Sequence, residues 1–400
     1  MIRSIKRKAF KPDRIGKGLR VLDLRITFLL KNLFHNKMRT ALTLLGISVP
    51  AIPIFVQVGL YSAMMETAGI FYDHLKFDLA ILSRDYLYFS KSGQFPENRV
   101  RLANSIEGIR EANFLRIGLH FWKNAANGDR REILVLGIDP QANPLQIPEL
   151  STVILQLKKP DTVIFDRFSQ SAFGPRQIGT ETELGPVAVE IVGQYSMGAG
   201  FSALGVVLVN PNTFDEIFGD RFRNDISLGL LTLKEPQDAA YIQSELNSIL
   251  PGDVQVVSRE FLIRRERDYW TESTSLGAVL TVGLIVSFAV GVIVIYQILA
   301  ADITNRIAEY ATLKAMGYKD RYLTIYLIQY AVGLCFFGFI PGSMISWLIY
   351  QMIWKVTRLP MEMTLERMIL VLGTTIGMSI CAGFFTTYKV FRADPAELFT

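Results

Sequence analysis

Apolar and polar positions along this chain follow two different patterns. Four long apolar runs stand out, at residues 41–65, 276–301, 324–350 and 368–388. Each is long enough for a helix of roughly 20 residues that crosses a hydrocarbon layer, and none contains Asp, Glu, Lys or Arg. Residues 66–275 read differently. There, short Val/Ile/Leu runs bounded by Gly, Pro, Asn or Asp predict strands at 79–83, 132–138, 162–165, 187–192, 206–209 and 226–233. A helix is predicted over 236–250, with Ala240, Ile242, Leu246 and Ile249 near one side and Pro251-Gly252-Asp253 ending it. A second, strongly charged helix is predicted over 259–270, running towards a membrane and placing Tyr269 and Trp270 at interfacial depth. The fold class that follows is an integral membrane protein, with four transmembrane α-helices and one large mixed α/β domain of two subdomains.

Proline refines the helices. Pro50 and Pro53 in the first run, and Ile340-Pro341-Gly342 in the third, predict breaks, because proline removes a helical hydrogen bond. Gln57, Gln297 and Gln329 are the strongest polar groups at depth and are expected to join helices by hydrogen bonds. Four such helices enclose too little volume for a private pathway, so a dimer or larger complex is expected.

Charge orients the chain. Residues 1–40 hold twelve Lys or Arg against two Asp, a net of +10, whereas residues 66–275 hold 21 basic and 28 acidic residues, a net of −7. Basic flanks stay in the cytoplasm. The expected layout is therefore a cytoplasmic segment at 1–40, the large domain outside at 66–275, a cytoplasmic loop at 302–323, a short outer loop at 351–367 and a cytoplasmic tail at 389–400. Arg264, Arg265 and Arg267 run against this rule, and Glu260, Glu266 and Asp268 are expected to balance them. The amino-terminal 40 residues do not resemble a cleavable signal, so the first run is expected to remain as an anchor. Within them Leu22, Ile26, Leu29, Leu30 and Leu33 share one helical face, predicting an amphipathic helix lying on anionic lipid. That reading leaves no need for a nucleic-acid partner. Cys335 and Cys381 both fall inside apolar runs, so no disulfide is expected in the large domain.

No constellation for catalysis is visible. His35, His74 and His120 lie far apart, and HExxH, GxSxG and paired CxxC patterns are missing. Gly198-Ala199-Gly200 with Ala203 fits a loose phosphate-loop pattern, but that pattern needs a following helix, and 206–209 reads as a strand. It is expected to be a flexible turn. No GxxxxGK[ST] sequence occurs, so any ATP would be bound by another chain. No metal or cofactor is expected.

One polar stretch remains, the loop between the second and third runs. On a helical wheel Ile303, Ile307, Tyr310 and Ala311 lie to one side, with Asn305, Glu309 and Thr312 opposite. Lys314 interrupts the apolar side, Arg306 can pair with Glu309 or Tyr310 one turn on, and Gly317 is placed to end the helix. A short helix tied to a span at each end would transmit force to both.

The segment EYATLKAMGY, with the preceding Arg306, resembles the cytoplasmic loop of DevC-like permeases in the MacB/FtsX family of ABC transporters. NKMRTALTLLGIS at 36–48 is similar to that family's entry to its first span. VGQYSMGAGFSALGVVLVNPNTFDEIFG at 192–219 and LPGDVQVVSREFLIRRERDYW at 250–270 resemble its exterior domain, and FRADPAELF at 391–399 its carboxy-terminal motif. The resemblance implies a MacB-type permease that is not itself an enzyme. A separate cytoplasmic ATPase subunit would receive the loop through Arg306, Ile307, Glu309, Tyr310, Ala311, Leu313, Lys314, Met316, Gly317 and Tyr318. It further implies a homodimer in the inner membrane with both termini inside, a periplasmic adaptor protein and a TolC-like outer-membrane channel. Motion would pass through the helices to cargo outside, glycolipid or another lipid-like molecule as in cyanobacterial relatives. An FtsX-like regulator of a periplasmic enzyme and a lipoprotein-extracting permease are the alternatives within the same resemblance.

Overall fold

The computed structural model describes residues 37–198, 203–222, 224–304, 316 and 320–392. The chain divides into two compact units. One takes the chain up to Val58, Gly283–Leu348 and everything from Met363; the other takes Gly59–Val282 and Ile349–Glu362.

Among the described residues, four helices are long and apolar enough to cross a membrane: Thr43–Ala68, Ser275–Thr304, Arg321–Thr357 and Leu365–Thr387. They fall on the four predicted runs. The third continues well past the predicted end at 350, so part of the expected outer loop is helical. The first is interrupted at Val49-Pro50, between helices Lys37–Ser48 and Ala51–Ala68, as its prolines predict. The expected break at Pro341 does not occur, because Asp320–Thr357 is one helix with Pro341 inside it. Gly338 and Gly342 are spaced i, i+4 and explain what that sequence does instead. A Cβ on Gly338 would lie 3.0 Å from the Ile47 side chain, and one on Gly342 would lie 3.1 Å from the Ser48 carbonyl. Small residues at this spacing let two helices approach closely, so the motif packs the third helix against the first. Among the described residues, Gln57, Gln297 and Gln329 form no hydrogen bond between helices, contrary to expectation. Gln57 is packed so tightly against Gly283 that a Cβ there would come within 2.4 Å of its amide nitrogen, and its Oε1 has no partner.

The α/β unit is built on strands β1 (Leu79–Ser83), β2 (Phe95–Pro96), β3 (Ile109–Lys123), β4 (Arg130–Gly137), β5 (Thr162–Asp166), β6 (Glu181–Leu184), β7 (Val187–Tyr195), β8 (Val206–Val209), β9 (Asp225–Ile226), β10 (Leu228–Leu233) and β11 (Val254–Ser258). Nine form one sheet in the order β11-β1-β10-β3-β4-β8-β5-β7-β6. The 15-residue strand β3 serves two halves. Residues 109–115 pair with β10, while residues 116–123 pair with β4. At its far end Trp122 pairs with Leu184 of β6, which closes β3, β4, β8, β5, β7 and β6 into a ring.

Each half has a cluster of its own, and a third cluster, including Leu82, Leu230, Leu134 and Leu208, spans both. Trp122, Phe165, Phe173, Val207 and Phe214 are buried together in the ring half, where the Trp122 indole N–H donates to the Phe173 carbonyl at 3.1 Å. Helices Asn98–Asn104 and Ala239–Ile249 cover the other half, where Val100, Ile242 and Leu246 pack on Leu79, Ile81 and Leu231. Full burial of such a side chain contributes about 1.5–3 kcal/mol.

Candidate functional site

The connection between the second and third apolar helices is the region singled out by sequence. Of its ten named residues, only Met316 is among those described, and it is exposed. Arg306, Ile307, Glu309, Tyr310, Ala311, Leu313, Lys314, Gly317 and Tyr318 lie outside the described residues. So do the amphipathic segment at 22–33, residues 199–202 of the glycine turn and the motif from 393 onward. The turn is nonetheless followed by strand β8 and no helix, as expected.

The root of this connection is well defined. Helix Ser275–Thr304 runs past the predicted end at 301 and brings in Asp302, a buried carboxylate. The Tyr330 hydroxyl donates to Asp302 Oδ2 at 2.7 Å. One residue on, Ile303 packs with Leu323 and Leu327, and Tyr326 leans on that cluster. Among the described residues, the two helices are thus joined at the mouth of the loop by the Asp302–Tyr330 hydrogen bond and by an apolar contact. Sequence reasoning placed Asp302 in the loop and left Tyr330 unremarked. The 28 residues between them put the pairing beyond helical spacing.

In the α/β unit, the polar centre is Glu266, near the carboxy end of helix Arg259–Asp268. Ser258 caps that helix by accepting the Phe261 N–H. The helix then widens into a π turn over Tyr269–Ser273, where Gly277 is required, since a Cβ there would come 2.1 Å from the Thr271 carbonyl oxygen. Glu266 is fully buried, which corrects its expected role as a surface counter-charge to the neighbouring arginines. Its Oε2 accepts from the Tyr72 hydroxyl at 3.0 Å, the Tyr86 hydroxyl at 2.9 Å and the Phe89 N–H at 2.9 Å. Its Oε1 accepts from the Trp270 indole at 3.1 Å. Burial pushes the Glu266 carboxyl above the usual carboxylate range, against the pull of those four donors. Burial likewise holds the Tyr72 and Tyr86 hydroxyls well above their ordinary value, so they remain donors.

The arginines here are structural. Arg265 donates to the Tyr86 carbonyl at 2.5 Å and lies over the Tyr86 ring, and Arg267 donates to the Met65 carbonyl at 3.3 Å. Trp270 and Tyr269, expected as interfacial anchors, are half-buried; Tyr269 stacks on Tyr88 at 4.6 Å. This centre therefore ties the short helix Ile70–Asp73, which follows the first apolar helix, to the segment leading into the second.

The remaining candidates are structural too. His74 bonds the Met197 carbonyl at 3.2 Å, and burial against Phe218 pushes His120 below its ordinary value. Among the described residues, no group of three or more His, Cys, Asp or Glu could hold a metal ion.

Residues 281–395, which span three apolar helices and the connection between two of them, match the FtsX-like permease C-terminal family. The chain is therefore similar to permeases of the MacB/FtsX family. Over 151 residues it is 22% identical to the macrolide export ATP-binding/permease protein MacB of Syntrophobacter fumaroxidans, a match covering 38% of this chain and 21% of that protein. Two solved structures are also similar to this chain. The extracellular domain of the noncanonic ABC-type transporter YknZ from Gram-positive bacteria is 14% identical, covering 46% of this chain and 99% of that one, with a TM-score of 0.35. The periplasmic region of MacB from Actinobacillus actinomycetemcomitans is 11% identical, covering 48% and 92%, with a TM-score of 0.35.

Proposed function

We propose that this permease carries motion from a separate cytoplasmic ABC ATPase to its large α/β domain, and so drives export of a lipid-like cargo. The joined root of the 305–319 connection is the observation that supports this reading. A push on the loop moves both helices together when they are also coupled where it begins, and Asp302–Tyr330 with Ile303, Leu323 and Leu327 supplies that coupling. In this reading Arg306 to Tyr318 seat in the ATPase, two copies of each chain form the working unit in the inner membrane, and both termini lie inside. An adaptor protein and a TolC-like channel extend the path outward from the α/β domain.

The test is co-expression with a candidate ABC ATPase subunit. Glu309→Lys or Tyr310→Asp should abolish ATPase binding, and Tyr330→Phe should leave binding intact while lowering export per ATP hydrolysed several-fold. Normal export by the loop variants would sink the coupling role. Recovery of a cell-wall hydrolase instead of an adaptor on the α/β domain would replace export with regulation of that enzyme.

A further inference from the structure

The α/β unit contains a cavity of about 330 Å³, beside the part of β4 that extends past its pairing with β8. Small-molecule sites are commonly of this size. Leu134 and Phe173 are buried in its wall, whereas Leu119 and Leu204 line it and are 37% and 50% exposed. One side is thus apolar and reachable.

Two aromatic rings form a corner of the cavity. Tyr88 and Trp270 both line it, with centroids 5.6 Å apart and planes at 69°. Both rings are held in place, because Tyr88 stacks on Tyr269 and the Trp270 indole donates to Glu266 Oε1. Aromatic faces fixed at a steep angle attract an alkylated ammonium group.

Charges of both signs line the same space. Glu132 and Arg131 are adjacent on β4 and exposed, so their side chains leave opposite faces of the strand. Glu132 shares its face with Leu134 and, across the pairing, with Leu119, while Arg131 stands opposite Trp122. Among the described residues neither forms an ion pair, although the nearby Lys123 and Arg130 both pair with Glu183. A lone cation in the cavity would meet Arg131 as a like charge, and a lone anion would meet Glu132. A zwitterion satisfies both, and a guanidinium fork matches phosphate oxygens well. We propose that this cavity binds a zwitterionic amphiphile of the phosphocholine type. Its ammonium lies against Glu132, Tyr88 and Trp270, its phosphate at Arg131 and its alkyl chain over Leu119 and Leu204.

The experiment is a calorimetric titration of the full chain in a maltoside detergent with four probes. Hexylphosphocholine, hexyltrimethylammonium and hexyl phosphate share one chain and differ in charge, and glycerophosphocholine keeps the head without the chain. Hexylphosphocholine should bind the wild type saturably and several-fold tighter than the other three. Leu204→Trp, at a half-exposed position on the cavity wall, should melt as the wild type does and abolish that binding. Glu132→Gln should erase the preference over hexyl phosphate, and Arg131→Gln the preference over hexyltrimethylammonium. Wild-type binding that survives in Leu204→Trp, or no saturable binding at all, would overturn the site. Equal binding of the three hexyl compounds would overturn the zwitterion, and glycerophosphocholine binding as tightly as hexylphosphocholine would replace the amphiphile with a free polar solute.

Discussion

The two units of this chain bury opposite things. In the α/β unit, strands β5, β8 and β10 are buried at every residue, and the exposed positions are mostly polar. In helix Ser275–Thr304, Val282, Ile285, Val286, Val290 and Ile293 are each more than half exposed. A protein in water does not leave so long an apolar face uncovered; a helix in hydrocarbon does so by default. Polar burial differs as well. Glu266 sits amid four donors drawn from four separate positions, whereas the apolar helices meet closely at glycines, among them Gly291 against Met378 and Gly338 and Gly342 against Ile47 and Ser48. Water-driven packing can organise itself around a polar centre. Packing in lipid relies on small residues that let helices meet.

The largest effect is expected where the water-side rule is broken at its centre. Glu266→Ala would strand the Tyr72 and Tyr86 hydroxyls, the Phe89 N–H and the Trp270 indole. Each stranded buried donor costs about 1–3 kcal/mol, partly relieved because the two tyrosine hydroxyls also meet each other. A loss of about 3–5 kcal/mol is expected in denaturant unfolding of the full chain, followed by tryptophan fluorescence. A loss under about 1 kcal/mol would mean that the centre does not hold the unit together.

Those same contacts explain what could be read from the sequence. The four apolar runs and the strands at 79–83 and 206–209 were legible because burial on every side leaves continuous apolar letters. Strand β3 was not. Arg110, Glu111, Asn113, Arg116 and His120 punctuate it, since it passes between two halves and changes partners midway. Arg116 is buried with Asp215, from a distant helix, 2.9 Å away and Glu97 at 4.0 Å. Glu266 looked like one more surface charge in a run of charges. Its fate was decided by Tyr72 and Tyr86, about 180 to 194 residues earlier, and no periodicity carries that. Asp302 and Tyr330 were hidden for the same reason. The loop motif was legible as a resemblance and not as chemistry.

A second substitution tests the comparison directly. Val290 is 52% exposed in the second apolar helix and Tyr241 is 72% exposed on helix Ala239–Ile249. In a purely water-soluble protein, arginine would be tolerated at both, with changes within about 0.5 kcal/mol. With the apolar helix in hydrocarbon, Val290→Arg should lower membrane insertion by about 2.5–3.5 kcal/mol, while Tyr241→Arg changes little. Insertion scored by glycosylation of engineered acceptor sites separates the outcomes, and equal behaviour of the two variants would erase the distinction drawn between the units.

The smallest effect concerns the protonation of Glu266. Burial raises its folded-state value above that of the unfolded chain, so the folded protein takes up the proton first as pH falls. The carboxylate form therefore costs stability at neutral pH. The cost shrinks as pH drops through the raised folded value and is gone below the ordinary glutamate value. Glu266→Gln carries no such titration. Its amide presents one acceptor where four donors converge, so it should be less stable than wild type, and that deficit should widen from pH 7 to pH 5. Asp166 is raised by burial with the same sign, but it is common to both proteins and cancels in the difference. A deficit that stays flat across this range would show that Glu266 titrates as it would in the unfolded chain, and that the four donors offset its burial completely.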